Sequence, residues 1–103
     1  MKSLEQILGC YFHQDWLDEF GSYDSVIRSI IESEPVEKIE SGMEEIDYLL
    51  ASDWGEGQLK VILIDQLGCY FDPAADGMTY EFWLKKLHTD FAQAHRLAPG
   101  SGK

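Results

Sequence analysis

The sequence predicts an all-α protein, a compact single-domain bundle of about five helices. Three observations lead there. Apolar residues recur at three- and four-residue intervals along most of the chain, while the strict alternation of a half-buried strand is missing. A length of 103 residues with 45% apolar and 13% aromatic content suits one folded domain with its own core. The pentapeptide Leu-Gly-Cys-Tyr-Phe also occurs twice, at Leu8–Phe12 and Leu67–Phe71, and an aspartate-bearing turn segment follows each copy. So long a match in so short a chain points to two helix ends built the same way and packed into one core.

The elements follow in order. Ser3 and Gln6 have the spacing of a capping box, opening a helix with Leu4, Ile7, Leu8, Tyr11 and Phe12 on its apolar face. Gly9 either ends that helix early or is tolerated inside it. Residues 13–21 form a connection or short helical turn, with Trp16, Leu17 and Phe20 spaced to cover the core. Ser22 or Tyr23 begins a second helix through Val26, Ile27, Ile30 and Ile31 to about Ser33. Pro35 suits the first position of a third helix. That helix carries the stripe Val36, Ile39, Met43, Ile46, Leu49 and Leu50. Gly42 in its middle costs up to about 1 kcal/mol relative to alanine, which a close helix crossing would explain.

Residues 53–57 read as a loop. Leu59 to Leu67 reads as a fourth helix, apolar nearly all round and therefore central, with a buried strand over Val61 to Ile64 as the competing assignment. Gly68 is its expected cap. Asp72 is expected to accept backbone hydrogen bonds in an Asx turn, and Asp76-Gly77 to form a tight turn. Thr79 caps a last helix with Phe82, Trp83, Leu87, Phe91 and Ala94 on one side. The helical domain is expected to span residues 1–97, with a disordered tail over 98–103.

No apolar run approaches the roughly 20 residues that cross a bilayer, and the N-terminus lacks a signal-peptide apolar region. The expected location is the cytoplasm, where Cys10 and Cys69 act as reduced, buried apolar groups. The net charge is −11, and all of the excess lies in one segment. Between Asp15 and Glu56 there are 13 acidic residues against two basic ones, Arg28 and Lys38, while the remainder is balanced. Such a field repels nucleic acid and anionic lipid and attracts basic protein surfaces. An acidic face that merely aids solubility is the alternative.

Catalytic patterns are absent: there is no G-x-S-x-G, P-loop or H-E-x-x-H, and His13, His88 and His95 are scattered. The chain reads as non-enzymatic, with no cofactor. Cys10, His13, Cys69 and Asp72 could form a zinc tetrad, but a structural zinc site normally has more than one cysteine per half, and the flanking aromatics favour packing. Asp72, Asp76 and Glu81 lack the spacing of a calcium loop. Tyr48, off the apolar stripe, and Trp54, in an acidic loop, are candidate interface anchors or fold back onto the core.

The stretch from Leu8 through Gly9-Cys10-Tyr11-Phe12-His13-Gln14-Asp15 to Trp16 resembles the N-terminal signature of CdiI immunity proteins, from bacterial contact-dependent growth inhibition systems. Leu67 to Leu84, from Leu67-Gly68-Cys69-Tyr70-Phe71-Asp72 onward, is similar to a second block of that family. The resemblance spans roughly Leu4 to Leu87. It implies a cytoplasmic protein that binds the toxic C-terminal domain of a cognate effector. Such toxins are often nucleases, whose phosphate-binding clefts are basic. The shared blocks are mostly apolar and turn residues, so contact residues do not follow from them. Charge and expected exposure nominate Asp15, Asp18, Glu19 and Asp24 before and at the second helix. On the third helix they nominate Glu37, Glu40, Glu44, Glu45 and Asp47, with Tyr48 and Trp54 as anchors. Reversing Glu44 and Glu45 together is expected to weaken toxin binding with little loss of stability. The expected partner is a basic RNase or other nuclease domain, with no direct nucleic-acid or membrane contact; the oligomeric state stays open.

Overall fold

The computed structural model describes residues 2–97, with side chains through residue 93. Among the described residues six α-helices form the bundle: α1 (Lys2–Tyr11), α2 (Trp16–Phe20), α3 (Tyr23–Ser33), α4 (Val36–Ala51), α5 (Glu56–Val61) and α6 (Tyr80–Leu97). A π-helical turn (Ile62–Gln66) continues α5, and a 3₁₀ turn (Pro73–Asp76) precedes α6. No strand occurs among the described residues, so Val61 to Ile64 is helical. The expected tail, and the side chain of Ala94, lie outside the described residues.

Helix α4 lies between the first and last helices. Its Ile39, Gly42, Ile46 and Leu49 are buried. A Cβ added at Gly42 would sit 3.4 Å from Ile7 Cδ1 and 3.6 Å from Phe91 Cε2, so glycine here permits the close crossing with both α1 and α6. The Thr79 cap and the turns at Asp72 and Gly77 fall where expected, and of the two starts left open for α3 it is Ser22 that caps. The Ser22 hydroxyl accepts from Ser25 N–H at 3.2 Å, and Thr79 Oγ1 accepts from Phe82 N–H at 3.1 Å. Asp72 accepts from Ala74 N–H, and Gly77 takes φ +75°. Pro35 precedes the first helical turn of α4, one position earlier than expected, and gives its carbonyl to Lys38 and Ile39.

Two further caps come from far along the chain. Helix α1 starts at Lys2, ahead of the expected capping box, and Glu45 supplies its cap. One Glu45 carboxylate oxygen accepts from Ser3 N–H at 3.2 Å and the other from Leu4 N–H at 2.8 Å. Glu56 does the same for α6, accepting from Tyr80 N–H at 2.6 Å and Glu81 N–H at 3.0 Å. A carboxylate offers two acceptors to two orphan donors and opposes the positive end of the helix dipole.

The repeated pentapeptides meet, but they are not built alike. The first copy is helical through Tyr11, and Gly9 lies inside α1. The second closes the π turn: Gly68 is left-handed at φ +69°, Gly68 N–H reaches Ile64 O, and Cys69 N–H reaches Leu63 O. A Cβ at Gly9 would lie 3.0 Å from Leu67 O, and one at Gly68 would lie 3.6 Å from Gly9 Cα. The two glycines therefore let backbone meet backbone. Tyr70 N–H then donates to Phe12 O at 2.7 Å. Leu8 and Leu67 are buried, as are Phe12 and Phe71, whereas Cys69 is buried and Cys10 exposed. Burial of Cys10 was expected; a helical position one step past Gly9 turns it outward. Both thiols are free.

The aromatic half of the core centres on Phe12. Its ring lies 5.4 Å from Trp16, 5.7 Å from Tyr23, 5.4 Å from Phe71 and 5.8 Å from Trp83, centroid to centroid. Trp83 Nε1–H donates to Tyr23 Oη at 3.2 Å, and Tyr23 O–H donates to Asp90 Oδ2 at 3.2 Å. No buried side-chain polar atom among the described residues lacks a partner. Several apolar residues differ from expectation, Leu17 among them, which was expected to cover the core and is exposed. Phe82 is 59% exposed, because the buried face of α6 runs through Tyr80, Trp83, Leu84, Leu87 and Phe91. Val61 is exposed and Ile64 half-buried, so α5 keeps one face toward solvent and is not central.

Burial raises the pKa of the Cys69 thiol to about 12 and also raises that of the Tyr23 phenol. The unfolded chain would release these protons first, so above about pH 9 the folded state holds protons that the unfolded state has lost. Stability is therefore complete below that pH and falls as pH rises, by up to about 1.4 kcal/mol per pH unit for each group. The expected melting temperature is flat from pH 7 to 9 and declines beyond, less steeply in Cys69→Ala. An equal slope in that variant would remove Cys69 from the account.

Candidate functional site

With Ile39, Gly42, Ile46 and Leu49 turned inward, α4 must present its remaining positions to solvent. Glu37, Glu40, Glu44 and Asp47 follow one another at intervals of three, four and three residues. They therefore form one carboxylate row, and all four are exposed. Tyr48, one turn beyond Glu44, is 60% exposed, and its hydroxyl has no partner among the described residues. Glu40, Glu44 and Asp47 line a shallow groove with Met43 and with His88 from α6. Asp47 Oδ1 lies 3.2 Å from His88 Nε2. This acid–imidazole contact was not legible in the sequence, because its two members lie on different helices.

Glu45 does not belong to this row. One residue past Glu44 it is rotated by roughly 100° about the helix axis, toward α1. There it is half-buried and holds the Ser3 and Leu4 amides. The paired reversal of Glu44 and Glu45 would thus disturb the fold as well as the surface. Glu45→Ala is expected to cost about 1–2 kcal/mol, through loss of an N-terminal cap, and to lower the melting temperature by about 5–10 °C. Glu44→Ala should stay within about 0.5 kcal/mol of the parent. Thermal melts of the two single variants check this, and equal stabilities would refute the capping role.

The other nominated acids form a second group. Asp15 precedes α2, Asp18 and Glu19 lie on it, and Asp24 is in the first turn of α3; all are exposed. Glu19 Oε1 is 2.7 Å from His13 Nε2. Helix α2 packs on α3. Trp54, between α4 and α5, is 37% exposed, and its indole N–H has no partner among the described residues. Both anchor candidates are therefore on the surface.

The zinc tetrad does not assemble. Among the described residues no group of three or more His, Cys, Asp or Glu side chains could hold a metal ion. Cys69 is buried in the core while Cys10 faces outward, and His13 is engaged by Glu19. The same holds for the calcium reading of Asp72, Asp76 and Glu81. No described helix is long and apolar enough to cross a membrane.

Leu17, expected to cover the core, is instead exposed, and with exposed Tyr70 it lines a groove together with Trp16, Phe71, Asp72 and Asp76. Adjacent Trp16 and Leu17 on one helix cannot both turn inward, which was the one local sign that Leu17 faces solvent.

Comparison with known proteins gives a consistent picture. The CdiI immunity protein family matches residues 1–91. Among solved structures the chain is similar to one in the crystal structure of a CdiA-CT/CdiI complex from Y. kristensenii 33638. The TM-score is 0.81 and the identity 31%, with 87% of this chain and 96% of that chain covered. No curated protein matches.

Proposed function

Because the chain belongs to the CdiI immunity protein family, it is a toxin-neutralising immunity protein and not an enzyme, and we propose that it acts by setting the acidic row of α4 against a basic active-site cleft of its cognate toxin. The observation that carries this reading is the exposed line Glu37, Glu40, Glu44 and Asp47 on a helix whose opposite face is fixed between α1 and α6. A row of carboxylates on a rigid helix imitates the charge of a nucleic-acid backbone without its scissile bond. The target cleft is then that of a nuclease, which binds phosphate through cationic side chains. Capture takes place in the cytoplasm, where opposite fields speed encounter. The similar chain of Y. kristensenii occurs in a complex with CdiA-CT, which supports a CdiA-type toxin domain as the partner here.

The test is co-expression with the C-terminal domain of the neighbouring effector, followed by a pull-down and a nuclease assay. A stable complex with suppressed nucleic-acid cleavage is the expected result. A toxin domain that binds but cleaves no nucleic acid would overturn the nuclease assignment. A complex that leaves cleavage intact would overturn occlusion.

A further inference from the structure

We propose, building on the toxin-binding reading above, that the groove between α2 and the 70–76 segment receives an arginine side chain of the toxin and supplies the slow-release anchor of the complex. The α4 row is almost wholly polar. Charges of that kind accelerate encounter, but long residence generally requires an apolar or aromatic contact shielded from water. The groove has that character. Leu17 is 57% exposed and Tyr70 45% exposed, although each could have been polar without cost to the core. Half-buried Trp16 and buried Phe71 also line it, and their rings lie 5.7 Å apart.

Asp72 and Asp76 supply the charge. Asp72 uses Oδ1 to accept from Ala74 N–H, and Asp76 has no side-chain partner among the described residues. Lys60 shares an adjoining groove with Asp72 but makes no ion pair with it. The concavity is about 320 Å³, room for a side chain or two. Aromatic faces, an aliphatic wall and two uncompensated carboxylates complement a flat, weakly hydrated cation on an apolar stem. Arginine meets that description better than lysine, because guanidinium stacks on rings and bridges carboxylates in a fork.

The full chain with Leu17→Ser and Tyr70→Ser together, and separately with Asp76→Asn, is measured against the toxin domain by surface plasmon resonance. The double variant is expected to release the toxin about 30-fold faster with association changed less than about threefold, as hot-spot truncation acts on dissociation. Asp76→Asn, at an exposed position without a bond, is expected to raise the dissociation rate about fivefold and keeps the test valid should the double variant melt early. Arginine-to-lysine variants of the toxin, combined with Asp76→Asn, should then show one arginine whose effect is lost in that background. If both immunity variants release the toxin at the parent rate while reversal of the α4 charges still slows capture, the groove is not the anchor and the toxin-binding reading stands. Coupling to no arginine overturns the assigned occupant. If the parent chain binds no toxin, both readings fall.

Discussion

Reversing Glu37 and Glu44 to lysine together is expected to slow association with the toxin by about 30- to 100-fold at low ionic strength, within the range that electrostatic steering supplies. Both side chains are exposed, and neither makes a hydrogen bond or ion pair among the described residues. The change moves the local charge by four units on one face and leaves the buried face of α4 untouched. Stability should therefore stay within about 0.5 kcal/mol of the parent. The rate deficit should shrink as salt rises, because screening removes the field that the parent exploits. Stopped-flow capture at several salt concentrations measures it. Parent-like association at every concentration would exclude α4 as the docking face.

Phe12→Ala carries the largest expected effect on stability. Phe12 is fully buried and touches four other aromatic rings from four other parts of the chain. Truncation removes the burial of a whole ring and leaves a cavity, a combination that costs about 3–5 kcal/mol. At roughly 4–8 °C per kcal/mol for a domain of this size, the melting temperature should fall by more than about 12 °C. A small shift in calorimetry would mean that Phe12 is not the centre of the aromatic core. Toxin capture by the variant, measured well below its melting point, should keep the parent association rate, since none of the rings around Phe12 belongs to α4. Its release rate is a different matter, because Trp16 and Phe71 of the groove proposed above pack on Phe12; stability and capture, but not release, would be separated by the two sets of substitutions.

How much was legible in the sequence depended on the range of the contact concerned. Ser22 and Thr79 cap their own helices three residues on; Thr79 was named as a cap, and Ser22 was one of two starts left open for its helix. Glu45 and Glu56 cap helices 41 and 24 residues away, and no local pattern distinguishes them from solvated acids. Gly42 could be read because a mid-helix glycine is costly without a close neighbour. Gly9 could not, because its reason is a carbonyl at Leu67. The repeated pentapeptide correctly pointed to one shared core. It misled about conformation, since identical residues are helical in one copy and close a π turn in the other. The α4 row was recoverable from helical spacing. Glu45 was misplaced by one position, as was Phe82 beside Trp83, because composition does not register a rotation of about 100°. The Leu17 and Tyr70 groove needed the fold itself, which brings residues from two distant turns together.

The seating of α4 between the first and last helices bears on when protection can begin. A nascent chain that has emerged only as far as α5 has its acidic helix made but lacks one wall of its berth. Ile39, Ile46 and Leu49 gain their full cover only once α6 has left the ribosome and folded back. A chain cut short before α6 is therefore expected to lack the packing that fixes the acidic row and to capture toxin poorly.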